Sequence, residues 1–164
     1  MYILIMIYSK TCEYALRSLS YFVDKGEGAK ASAAVISRET GVPGAYVAKI
    51  FQCLTQKGVL VSSRGVKGGY SLKSDSSKIK LLDIIRAMDD LEKSPLSNCI
   101  MGLHQCNDKN PCPLHHTWAD AKELMLKQLS RNSIADIAGL VDKFETGRCD
   151  RISLSPGMRA LFAN

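Results

Sequence analysis

Apolar positions recur at helical spacing along most of this chain, with one short interval of strand character. Over residues 9–25, Ala15, Leu16, Leu19, Phe22 and Val23 lie at i, i+1, i+4, i+7 and i+8, one face of a 3.6-residue period, and predict an amphipathic helix. Gly26 and Gly28 end it. Ser32 suits the N-cap of a short helix through Thr40, because its hydroxyl can accept from an unpaired N–H of the first turn. Gly41, in "GVPG", supplies the left-handed residue that stops it. A further helix runs to Lys57, with Val47, Ile50, Phe51 and Leu54 on one side and Ala45, Lys49, Gln52 and Gln56 on the other. Two short helices joined by a tight Gly-containing turn form a helix-turn-helix pattern.

"VLVSSRGVKGGYSL" reads as a β-hairpin: Val59–Arg64 goes out, the glycines of "GVKGG" permit the turn, and Tyr70–Leu72 returns. Arg64 and Lys67 are carried at its tip. A helix-turn-helix followed by a basic hairpin is a winged helix, so the fold class is mainly α with a small β-hairpin wing. Leu81, Ile84, Ile85, Met88 and Leu91 predict a helix over 80–92. Pro113 suits the first position of another. On that helix Leu114, Trp118, Ala121, Met125 and Leu129 recur close to a heptad, which favours a dimer seam, although a single-chain core could use the same stripe. "SIADIAGLVDKFE" predicts a short helix, and the remainder a tail. The expected organisation is a winged helix-turn-helix over 6–80, dimerisation helices over 81–131 with a cysteine loop at 93–113, and an extension over 132–164.

Charge adds a partner to this outline. The chain's net charge is +6, yet residues 1–80 hold 12 Lys+Arg against 5 Asp+Glu, and residues 81–164 hold 10 against 11. The positive excess therefore sits with the winged helix, as a surface that meets a polyanion requires. Small, basic and amide side chains on the outer face of the second helix fit a DNA major groove, and a basic wing tip fits phosphate contact. The expected DNA-facing residues are Ala45, Tyr46, Lys49, Gln52 and Gln56 on the helix, with Arg64, Lys67 and Gly68 on the wing. No C-x-x-C, phosphate-binding glycine loop or nucleophile elbow is present, which argues against an enzyme. "YILIMIY" lacks the flanks of a signal peptide and is too short to span a bilayer, so no membrane role is expected. The chain reads as cytoplasmic, where clustered thiols bind metal or react more often than they cross-link.

Three of the six cysteines, Cys99, Cys106 and Cys112, fall in the Gly- and Pro-broken segment "NCIMGLHQCNDKNPC". Such a loop lets thiolates converge on one centre instead of following a helical period. Cys112 also sits where the next helix begins, and a helix N-terminus favours the thiolate form. His115 is the nearest candidate for a fourth donor, ahead of His104 and His116. An iron–sulfur cluster, a structural zinc on a Cys₃His set and a redox-active thiol group all remain open on these residues. Cys12 and Cys53 lie within helical patterns and read as core fillers. Cys149 has no evident partner.

"SKTCEYALRSLSYF", "VPGAYVAKIFQCLTQKGVLVSSRGVKGGYSL" and the C-x6-C-x5-C-PLH triplet together resemble the Rrf-two family of bacterial winged-helix regulators, over residues 6 to about 131. The resemblance starts at Met6, which leaves "MYILI" as extra residues. It implies a transcriptional regulator, expected to repress, that binds a palindromic operator in double-stranded DNA as a homodimer. It also implies an iron–sulfur cluster, [2Fe-2S] or [4Fe-4S], on Cys99, Cys106 and Cys112, through which redox state, nitric oxide or iron supply is sensed. The family's iron–sulfur biogenesis regulators point to His115 as fourth ligand. Its nitric-oxide sensors point instead to a carboxylate in the partner's first helix, where this sequence has Glu13. A cluster-free regulator responding through thiol oxidation, zinc or a partner protein is the alternative.

Overall fold

A computed structural model describes residues 8–65, 68–91, 97–103 and 106–138. Helix α1 spans Lys10–Lys25 and starts where the Ser9 hydroxyl accepts from the Cys12 N–H at 3.1 Å. It buries Cys12, Ala15, Leu16, Leu19 and Phe22 and ends at Gly26. Helix α2, Ala33–Thr40, is capped by Ser32 and stopped by Gly41 at φ 66°, as the sequence predicts. The Ser37 hydroxyl donates to the Val42 carbonyl at 2.7 Å and closes the turn into α3, Gly44–Gln56. Val47, Ile50, Phe51 and Leu54 of α3 are buried, and the opposite face is exposed.

The wing pairs β1 (Leu60–Ser63) with β2 (Gly69–Leu72) in the antiparallel register Leu60↔Leu72 to Ser63↔Gly69. Val66 and Lys67 lie outside the described residues. The far edge of β2 is tied to the helices by a reciprocal pair, Ala31 N–H to Tyr70 carbonyl at 3.1 Å and Tyr70 N–H to Ala31 carbonyl at 2.8 Å. Phe51 stacks against Phe22 and Tyr70 at ring separations of 6.0 and 5.1 Å, so one aromatic row joins α1, α3 and the wing.

Helix α4, Leu81–Met88, is shorter than the predicted 80–92. Asp89 is extended, and its carboxylate accepts from the Ser9 N–H at 2.7 Å and the Ser9 hydroxyl at 2.6 Å. The end of α4 is therefore committed to the start of α1, and the apolar period in Leu91 continues without the helix. Helix α5, His115–Arg131, begins two residues beyond Pro113 and packs on α4. None of its residues is fully buried, and Leu114 and Leu124 are exposed. A 3-10 turn at Ile134–Ile137, with Ser133 and Asp136 capping each other, returns Ile134 to the core beneath α1. Ile84, Ile85 and Ile134 share one core with α1–α3, so the packing crosses the expected boundary at residue 80. Residues 139–164, including Cys149, lie outside the described residues. No helix among those described is long and apolar enough to cross a membrane.

Candidate metal centre and nucleic-acid interface

The cysteine segment folds back on itself between α4 and α5. Its start is held by the Trp118 indole N–H, which donates to the Asn98 carbonyl at 2.9 Å and fixes it against α5. The Cys112 carbonyl accepts from the His115 N–H at 3.0 Å, so the segment's last cysteine is built into the approach to α5. The Sγ atoms of Cys99, Cys106 and Cys112 come within 4.8 Å of one another, with Cys99 and Cys112 at 3.6 Å. Two bonds of about 2.3 Å to a tetrahedral centre put sulfurs about 3.8 Å apart. The Cys99–Cys112 pair is thus spaced to grip one metal atom.

His115 stands beside this set without belonging to the mutually close group. Its Nδ1 lies 3.0 Å from Cys106 Sγ, and its Nε2 lies 3.0 Å from Asp108 Oδ1. The donors are therefore a triplet of sulfurs, with Cys99 and Cys112 in closest contact and His115 joined to it through Cys106. Backbone N–H groups, that of Leu103 foremost and that of Met101 after it, hold the Cys99 thiol down to about 7, in the range where it supplies a thiolate at neutral pH. Burial acts the other way on Cys112 and raises it. Three soft sulfur donors, one of them ionised near neutrality, and an imidazole fit an iron–sulfur cluster or zinc in chemical type.

The other sequence candidates are placed elsewhere. Glu13 sits in the first turn of α1 and pairs with Lys10 at 2.8 Å; within this chain it is not part of the sulfur group. His116 stacks edge-on against His115 with ring centroids 5.3 Å apart, and His104 lies outside the described residues. Cys12 is fully buried under α1, and burial, with Asp89 nearby, pushes its thiol up to about 12. Cys53 donates to the Ala87 carbonyl at 3.5 Å between α3 and α4. Neither Asp108 nor Asp89 is marked out by the sequence pattern. The signal for Asp108 was the local "NDKN", whose first Asn folds a turn by accepting from the backbone two and three residues on.

Ala45, Tyr46, Lys49, Gln52 and Gln56 form one exposed face of α3, and Arg64 is exposed at the end of β1. Tyr46 packs edge-on against Tyr14 at 5.3 Å, and Lys10 Nζ lies 5.3 Å from the Tyr14 ring, so the start of α1 extends the α3 face. Gly68 has a backbone reason for its identity: a Cβ there would meet the Ser63 carbonyl at 2.4 Å.

A family model described as "Rrf2: Iron-dependent Transcriptional regulator" matches residues 8–139. A provisionally named HTH-type transcriptional regulator of Aquifex aeolicus (strain VF5) is 30% identical over 141 residues, covering 84% of this chain and 95% of that protein. The HTH-type transcriptional regulator IscR of Yersinia pseudotuberculosis serotype O:1b (strain IP 31758) is 31% identical over 110 residues, 67% of this chain and 65% of IscR. The chain thus spans just under two thirds of that relative's length. Among solved structures, CymR, the global cysteine regulator of B. subtilis, superposes with a TM-score of 0.66 at 21% identity, over 80% of this chain and 95% of CymR. That likeness establishes the winged-helix fold. The family and the sequence relatives are transcriptional regulators and not enzymes, and the family implies binding to DNA. The chain belongs to the Rrf2 family of transcriptional regulators.

Proposed function

We propose that this regulator acts in the cytoplasm as a homodimer on a palindromic operator, and that an iron–sulfur cluster held by Cys99, Cys106, Cys112 and His115 controls its occupancy of DNA. The convergence of three Sγ atoms within 4.8 Å, with His115 Nδ1 at 3.0 Å from Cys106, carries this reading. The 3.6 Å between the Cys99 and Cys112 sulfurs suits two ligands on one iron, as in [2Fe-2S], while [4Fe-4S], in which each ligand holds its own iron, is the alternative. Bound there, such a cluster supplies a centre whose charge and ligands respond to electrons, nitric oxide or iron supply. The exposed face of α3, Ala45, Tyr46, Lys49, Gln52 and Gln56, enters the major groove, and Arg64, Lys67 and Gly68 bring the wing to the backbone. The exposed apolar positions of α5 meet a second copy, which places two such faces on one operator.

The route from cysteines to DNA runs through named contacts. Trp118 ties α5 to Asn98, α5 packs on α4, Asp89 at the end of α4 holds Ser9, and α1 packs on α3. Protein purified without oxygen from iron-replete cells is expected to show visible absorbance with iron and acid-labile sulfide. Cys106→Ser is expected to abolish both while leaving a folded protein. Colourless protein with stoichiometric zinc instead supports a structural Cys₃His site.

A second reading is favoured by one distance: Cys99 and Cys112 sulfurs 3.6 Å apart can join as a disulfide after small rotations. Both thiols then lose a proton and an electron each to an oxidant such as hydrogen peroxide, which is reduced to two waters. Metal-free protein whose operator affinity changes on peroxide addition, and reverts on thiol reduction, supports this reading over the first.

A further inference from the structure

We propose that Asp108 is a positioning residue: it fixes His115 as the Nε2–H tautomer and thereby aims the unprotonated Nδ1 at the sulfur set. The inference deepens the Cys₃His reading above and rests on it for its consequence, though not for its geometry. Asp108 Oδ1 lies 3.0 Å from His115 Nε2, and Cys106 Sγ lies 3.0 Å from Nδ1, so the two ring nitrogens face different partners. An ionised carboxylate only accepts hydrogen bonds, so the proton of a neutral ring must sit on Nε2. Nδ1 is left with its lone pair toward Cys106. That is the state a metal-binding imidazole needs.

The backbone around Asp108 is built to present it. The Asn107 side-chain oxygen accepts from the Lys109 N–H at 2.9 Å and the Asn110 N–H at 3.1 Å, and the Asn107 and Asn110 backbones bond reciprocally. This closes a turn with Asp108 inside it, the residue two beyond Cys106. His115 is held from the other side by the residues leading into its helix, since its N–H bonds to the Cys112 carbonyl. The turn and the first residue of α5 thus converge, and one carboxylate–imidazole contact joins them.

Solvent exposure separates this role from a structural one. The Asp108 side chain is 95% exposed, against 19% for His115. An ion pair that open to water contributes little to folding. Carboxylates that accept from the second nitrogen of a ligating histidine nonetheless set ring orientation and ligand basicity, and their removal commonly costs about 10- to 100-fold in metal affinity.

The test compares wild type, Asp108→Ala and Asp108→Asn. Long-range ¹H–¹⁵N spectra of reduced, metal-free protein at about pH 8, above the ordinary histidine range, report the His115 tautomer directly. Wild type is expected to show the Nε2–H form, Asp108→Ala a mixture, and Asp108→Asn the wild-type pattern, because the amide oxygen still accepts from Nε2–H. In anaerobically loaded protein, Asp108→Ala is expected to lose iron to a chelator about 10- to 100-fold faster, while the metal-free variant keeps the wild-type melting temperature. Identical tautomer populations in wild type and Asp108→Ala would overturn the proposal, as would equal rates of iron loss. Wild type that takes up no iron or sulfide sinks the cluster reading instead, and the spectra of metal-free protein then decide the role of Asp108 alone.

Discussion

Replacing Gly69 with alanine tests whether the wing is seated on the helices by close backbone approach. Gly69 has φ 146°, and an added Cβ would lie 2.7 Å from the Ala31 carbonyl oxygen and 2.8 Å from its carbon. Both contacts are backbone, so no side chain can swing aside. A residue held in that conformation costs about 1–3 kcal/mol. Moving β2 away from residue 31 also weakens the two hydrogen bonds between Ala31 and Tyr70, at about 0.5–1.5 kcal/mol each. The expected loss is about 2–6 kcal/mol. For a chain of this size, 3 kcal/mol lowers the melting temperature by about 6–12 °C. Gly65 is the control: its φ is 105°, yet no described atom lies within 4 Å of a Cβ placed there. Gly65→Ala therefore carries the backbone term without the collision. Urea denaturation of both variants measures the difference, which isolates the close approach. Destabilisation equal within about 0.5 kcal/mol, the usual range of a neutral surface change, refutes the argument.

Arg64→Ala is expected to weaken operator and non-operator binding alike and to reduce the salt slope of binding by about 1 per protomer; unchanged affinity and slope in a titration across salt concentrations refute the contact. Cys12 gives a pH dependence with a definite sign. Its folded thiol is pushed up to about 12 from an ordinary 9.0, so its contribution to stability is full below pH 9 and is lost as pH rises toward 12. Over that window stability falls by about 1.4 kcal/mol per pH unit from this group, and Cys12→Ala, apart from a constant packing loss, lacks that fall. Parallel denaturation curves for the two proteins between these pH values contradict the burial argument. Asp89→Ala removes both acceptors of Ser9 and is expected to cost about 1–2 kcal/mol; Ser9→Ala also loses the N-cap of α1, about 0.5–2 kcal/mol, but shares the hydroxyl–carboxylate bond, so the double variant should cost less than the sum, and full additivity in the double-mutant cycle excludes the clasp.

The winged helix was legible because its signals are local. Ser32 and Gly41 sit at the two ends of α2 as their chemistry requires, and the apolar set Val47, Ile50, Phe51 and Leu54 is the buried set. The end of α4 was not legible, because the residue that stops it is recruited by Ser9, 80 residues away in sequence. No period or turn signal carries such a pairing. Ile134 escaped for the same reason: its burial depends on the backbone pairing of residues 79–81 with 132–134, in a segment whose pattern alone predicts only a short helix.

The candidate centre divides in the same way. Cys99, Cys106 and Cys112 could be read from their crowding in a segment with no helical period, and His115 from its place three residues on. The order of donors around the centre could not. Sequence proximity pairs Cys112 with His115, whereas in space His115 meets Cys106 and Cys112 meets Cys99. The "NDKN" turn produces this exchange, since it reverses the chain between Cys106 and Cys112 and brings the earlier cysteine to the start of α5. On the proposed reading, a turn that decides which donors are neighbours also sets how they would share a metal centre. The residues between the proposed ligands therefore carry as much of the site's geometry as the donors do, and a variant that opens the Asn107 turn should disturb the Cys106–His115 contact before it disturbs that of Cys99 with Cys112.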